Sequence, residues 1–272
     1  MPDPTHSAPR GRPWVVWLAL PLPYSIVLLA AAIAMARRGS ALTLTTRELA
    51  SRLVLALLTI ESAVLAVAVP FLAATAAKGW RRWVVDVAAP AVMVAAVSLV
   101  AMAVAARGEI PLAALVGCQV FLLSFGALLA AGTALLRSLG LHSGGAQVVA
   151  MTAGLAMVGN VFVANAAIER APANAWRSRA IQAVLWTNPW IVAGGSILQA
   201  DPCRAERLYH RSVISYYEFA YPGGNRGIAG RTAAVSIPYL LCALAAWALA
   251  WAVARRRRGR QAARPRSDDA IP

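Results

Sequence analysis

Long apolar runs broken by short polar clusters dominate the chain. Six runs reach the roughly 20 residues that a helix needs to cross a bilayer. They cover about 14–36, 53–77, 84–106, 111–136, 147–168 and 233–254. None alternates with the period of two that marks a half-buried strand. The pattern therefore predicts an all-α integral membrane protein with six transmembrane helices, because a helix satisfies every backbone polar group within its own segment. The connections at 78–83, 107–110 and 137–146 are short, so the helices they join are expected to pack as antiparallel neighbours. Residues 1–260 form one polytopic domain in this reading, and 261–272 form a flexible cytoplasmic tail.

A seventh apolar stretch lies in the long connection 169–232. Ala180 to Leu198 reads AIQAVLWTNPWIVAGGSIL, nearly long enough to cross, but Asn188-Pro189 and Gly194-Gly195 interrupt it. If it crossed, the run Arg255–Arg258 would move outside, against the positive-inside bias. A re-entrant helical segment between the fifth and sixth helices is expected instead, turning at Asn188 and Pro189. Broken backbone at that depth is tolerated only where protein or a water-filled cavity covers it.

Charge sets the orientation. Of the 272 residues 60% are apolar and 14% charged, with a net charge of +15. A soluble basic chain would suggest nucleic acid, but the arginines here flank the apolar runs and none lies within them. They fit topology and lipid headgroups, and nucleic-acid binding is not expected. With the N-terminus inside, the inner parts carry Arg10, Arg12, Lys78, Arg81, Arg82, Arg137 and the arginine-rich tail from Arg255 to Arg266. The short outer loops carry Arg37, Arg38, Arg47, Arg52 and Arg107. Long loops such as 169–232 translocate largely regardless of charge. Both termini are therefore placed in the cytoplasm, with the chain in the cell membrane. The run from Trp14 to Ala36 is longer than a signal-peptide core of about 7–15 residues and is expected to be a retained first helix.

Several polar residues could carry chemistry. Glu61 lies within the second span, where a charge costs roughly 2.5–3.5 kcal/mol on insertion scales. It either lines a translocation path or couples to protons, or it joins two helices as a protonated or hydrogen-bonded glutamate. Asn160 and Asn165, about 140° apart around the fifth helix, either line a path or hydrogen-bond across helices. Lys78, Trp80, Arg81 and Arg82 form an aromatic and basic turn suited to a membrane anchor or to docking a cytoplasmic partner. Asp86 sits near this turn as an interfacial ion-pair partner. Cys203, Glu206 and His210 would share a helix face, but Arg204, Arg207 and Arg211 repel a cation, so no metal site is expected. The three cysteines, Cys118, Cys203 and Cys242, give no disulfide framework.

Enzymatic chemistry finds no footing. Lys78 is the sole lysine and precedes Gly79, so there is no G-x-x-x-x-G-K-[ST] phosphate loop. His6, His142 and His210 all lie outside the spans, with no nucleophile setting beside them. No cofactor is expected.

Three stretches, and the end of the last helix, resemble the membrane-spanning permease subunits of type-2 ABC exporters. From Leu55 to Trp83 a helix with Pro70 leads into small residues and a charged turn. From Leu122 to Arg137, LLSFGALLAAGTALLR is similar to the family's small-residue fourth helix ending in a cation. Thr187-Asn188-Pro189-Trp190 resembles the Asn-Pro step after the fifth helix, and the final helix runs into Arg255–Arg258 as theirs do. The turn after the second helix departs from the family's acidic step followed by Gly-Thr, reading Lys78-Gly79-Trp80-Arg81-Arg82. The resemblance implies a homo- or heterodimeric permease with substrate moving along the interface. A separate cytoplasmic ATP-binding subunit would dock near 78–83 and 137–146. Two other classes stay open: an ion-coupled secondary transporter titrating Glu61, and a membrane assembly or scaffold subunit that moves nothing.

Overall fold

The structure, a computed structural model, describes residues 24, 26–28, 30, 34, 46–76, 83–170, 179–180, 183–184, 186–198 and 232–262. Among them the chain is helical, with no strand. Helix α1 spans Thr46–Thr75. A π-helical turn at Val84–Ala88 runs directly into α2, Ala89–Ala106. Then come α3 (Leu112–Ser138), α4 (Ser143–Arg170), the short α5 (Pro189–Leu198) and α6 (Thr232–Ala262). Four stretches among the described residues are long and apolar enough to cross a bilayer: Leu49–Thr75, Val84–Ala106, Leu112–Ser138 and Val235–Arg257. The 28 residues of α4 span about 42 Å at 1.5 Å per residue. Of the predicted first span, the described residues Tyr24, Ile26, Val27, Leu28, Ala30 and Ala34 are helical. Tyr24 and Leu28, one turn apart, are buried in the core while Ile26 and Val27 are exposed.

The local sequence explains where the helices stop. Arg107 (φ 49°) and Gly108 (φ 82°) take left-handed backbone and end α2. Pro111, which has no N–H to leave unsatisfied, then starts α3. At the other end of α3, Gly140 (φ 107°) supplies the left-handed residue of a Schellman motif. Its N–H bonds Arg137 O and that of Leu141 bonds Leu136 O.

Contacts fix the direction of each helix. Phe121 of α3 meets Tyr239 of α6 with ring centroids 5.2 Å apart. Eighteen residues further along both helices, Arg257 Nη2 donates to Leu139 O at 2.9 Å. Helices α3 and α6 are therefore parallel. Arg137 Nη1 donates to Ala73 O at 3.1 Å, which brings the C-terminal end of α1 to the C-terminal end of α3. Helices α2 and α4 run the other way, each joined to α3 by a short turn. Helix α1 is the central element, with 67% of its apolar window buried, whereas α6 is peripheral at 17%. Where α4 crosses α1, a Cβ on Gly154 would lie 3.1 Å from Ala66 Cβ and 3.2 Å from Ala66 Cα, so any larger residue would have to push the helices apart by a few tenths of an ångström.

Helix α5 is the most enclosed element. Trp190, Ile191, Val192 and Ala193 are buried, packed among α1, α3, α4 and α6. The break expected at Asn188-Pro189 is present, but Gly194 and Gly195 do not interrupt the chain. Helix α5 continues through both, and both are buried. Burial of the helix offsets the cost that glycine carries in a helix interior.

Candidate functional site

Two polar clusters lie among these apolar helices, one buried and one that reaches the exposed Thr187. The first is built on Glu61. Because α1 begins at Thr46, Glu61 is its sixteenth residue of 30, at the middle of the helix. It is fully buried. Gln119 Nε2 of α3 donates to Glu61 Oε2 at 2.9 Å and also reaches Met102 Sδ of α2 at 3.5 Å. Ser98 of α2 approaches Glu61 and shares a hydrogen bond with the Tyr24 hydroxyl. Four helical segments thus send one polar side chain each to a single point. Of these, Gln119 carries the same signature as Glu61, a strongly polar side chain in a long apolar run, and the sequence alone could have singled it out. Ser98, Tyr24 and Met102 could not be told from ordinary span residues.

The second cluster surrounds the start of α5. Asn188 is buried and uses its whole side chain. Its Oδ1 accepts the N–H groups of Trp190 and Ile191, both at 3.2 Å, which makes it the N-cap of α5 with Pro189 at the first helical position. Its Nδ2 donates to Val158 O and to Asn160 Oδ1, each at 2.9 Å. Asn160 Nδ2 donates in turn to Thr187 Oγ1 at 2.8 Å and Val184 O at 3.0 Å. Trp190 Nε1 adds a second donor to Val158 O at 3.1 Å. The carbonyls freed where the helix before Asn188 ends are met by α6, since Tyr239 Oη donates to Thr187 O at 3.0 Å. The carbonyls of Val184, Trp186 and Thr187 at this break are each met by a side chain of a neighbouring helix. Cys118, next to Gln119 in the chain, donates its S–H to Ala193 O at 3.2 Å and so ties α5 to the first cluster.

The sequence-derived candidates divide accordingly. Glu61 and Asn160 lie in separate clusters, both engaged in hydrogen bonds between segments. The side chain of Asn165 lies outside the described residues, as do Lys78, Trp80, Arg81 and Arg82, the trio Cys203, Glu206 and His210, and the tail from residue 263. Asp86 falls in the π-helical turn. Arg137, read as an inner-side cation, also bonds the terminal carbonyls of α1, Ala73 O at 3.1 Å and Ala76 O at 3.5 Å. Around the same end, Trp83 stacks edge-on to Trp247 at 4.9 Å, and the Arg255 guanidinium lies 5.3 Å from the Trp251 ring centre.

Long apolar helices carrying exposed Val100, Val104, Leu244 and Trp251 on their outer faces, with polar groups gathered inside, define a multi-pass helical membrane protein. No family profile, curated protein or solved structure matches the chain.

Proposed function

We propose that the chain is the membrane-spanning permease subunit of an ABC-type exporter, driven by a separate ATP-binding subunit. The observation that carries this reading is the place of α5. A short helix opened by Asn188-Pro189 follows the long helix α4 and precedes the last span, the position in which the resemblance puts its Asn-Pro step.

Topology supports the same arrangement. Helix α4 leaves the Arg137 end of the bundle, and α6 returns to it because Arg257 reaches Leu139. The connection between them therefore starts and finishes on one side, and a single crossing by 180–198 does not fit. At about 15 Å, α5 covers half of a 30 Å hydrocarbon core, the reach of a re-entrant segment. Counting 14–36 as the first span gives six crossings. The arginines at the Arg137 end, and Lys78, Arg81 and Arg82 in the sequence, support a cytoplasmic location for that end and for both termini. The ATP-binding subunit docks there, and two permease chains enclose the path. ATP binding then biases the pair between inward- and outward-open states.

Purification from native membranes in mild detergent tests this reading. A stoichiometric cytoplasmic protein with a Walker motif, co-eluting and hydrolysing ATP, is the expected result. A chain that elutes alone, with no ATPase encoded in the adjacent reading frames, would overturn it. A second reading, an assembly subunit that moves nothing, draws on the complete burial of Glu61.

A further inference from the structure

The Glu61 cluster is short of one hydrogen-bond donor. Gln119 spends its amide nitrogen on Glu61 Oε2 and Met102 Sδ, which uses both of its hydrogens. Glu61 Oε1 and Gln119 Oε1 are then left without a partner, although both residues are buried. Among the described residues, the groups that meet Glu61 are the Gln119 amide and the Ser98 hydroxyl, with the Tyr24 phenol behind Ser98 as the other titratable group. No cation is among them. A carboxylate has no hydrogen to give, and neither has an amide oxygen. An ionised Glu61 would leave two acceptors against apolar side chains at the middle of a span, where unsatisfied polar groups are least tolerated.

We infer that Glu61 and Gln119 form a carboxylic acid–carboxamide pair, in which a proton held on the Glu61 carboxyl is donated to Gln119 Oε1. One proton fills both deficits at once: it is the missing donor, and the amide oxygen is its acceptor. Each group then gives one hydrogen bond and takes one, so α1 and α3 are joined at mid-helix by a neutral pair. The ligand of this site is the proton, with no call for a metal ion. The inference is independent of the permease reading, since it concerns how α1 and α3 are held and not what the chain transports.

Infrared difference spectroscopy on the protein in lipid nanodiscs is the test. Subtracting the Glu61→Gln spectrum from the parent should reveal a protonated-carboxyl C=O stretch that moves on exchange into D₂O. A difference that instead contains the paired stretches of a carboxylate overturns the inference. Glu61→Gln keeps the shape and the give-and-take of the pair, so it should stay monodisperse and melt close to the parent, with Glu61→Ala clearly lower. Equal loss in both variants would count against a neutral pair. If Glu61→Gln fails to fold, Gln119→Leu provides the second probe. The acid stretch should move to higher frequency once its acceptor is removed, and an unmoved band rejects Gln119 as the partner.

Discussion

Replacing Asn188 with alanine should release α5 from its seat. The substitution removes the N-cap of α5, where one oxygen accepts two backbone N–H groups at 3.2 Å. Such a cap contributes about 1 kcal/mol. It also removes two donors, to Val158 O and Asn160 Oδ1. Hydrogen bonds between membrane helices average about 0.6 kcal/mol and reach about 1.7. Val158 O keeps Trp190 Nε1, whereas the half-buried Asn160 Oδ1 loses this donor. The total comes to about 2–3 kcal/mol, or roughly a 30- to 140-fold rise in the population with α5 undocked, at tenfold per 1.4 kcal/mol. Cys118 reports that opening directly, because it is fully buried and donates to Ala193 of α5. With Cys203 and Cys242 replaced by serine, maleimide should label Cys118 faster in Asn188→Ala by that factor. Asn160→Ala, which keeps the cap, should raise the rate by less than about tenfold. A rate in Asn188→Ala within threefold of the parent would refute the idea that this asparagine holds the half-helix in place.

Three further outcomes follow from the packing. Tyr239→Phe retains the ring contacts with Phe121 and Phe125 but loses the bond to Thr187 O, so it should cost about 0.6–1.7 kcal/mol in a thermal melt. Gly154→Val should cost about 1–3 kcal/mol by forcing α4 away from Ala66, while Gly126→Ala, whose Cβ would find Val69 at 3.7 Å, should be nearly neutral. Arg137→Gln removes a cation from the terminal carbonyls of α1 and should lower stability by about 1 kcal/mol, and Arg137→Lys should recover part of the loss.

Hydropathy located spans better than it located helices. The third predicted span, 84–106, coincides with the helical stretch through the π turn and α2, because polar residues bound it on both sides in the sequence. Helix α1 instead begins seven residues before its predicted span, since Thr46–Arg52 carries four polar residues besides Thr46, with Leu49-Ala50 between them, yet is compatible with helix. Helix α6 runs eight residues beyond its span for the same reason, through an arginine run with good helix propensity. A window of apolar residues detects what lies in hydrocarbon and is blind to helix that continues into the headgroups. The Asn188 break was visible because Asn-Pro both caps and starts a helix. Gly194-Gly195 misled because glycine weakens a helix only where packing does not compensate. Glu61 stood out as a charge in an apolar run, but its partners did not. Which face of α2 or α3 turns toward it depends on packing between distant segments, and the spans are apolar all round, so no stripe marks the buried side.

Compartment labelling of single cysteines bears most directly on the proposed arrangement, in which the chain turns back at Asn188 and ends on the side where α3 ends. In intact cells a membrane-impermeant maleimide should label native Cys203. Cysteines introduced by Gly140→Cys and Gly259→Cys, each in a background lacking the native thiols, should react only after permeabilisation. Labelling of Cys203 and position 259 from the same face would contradict the six-span permease topology and the returning half-helix together.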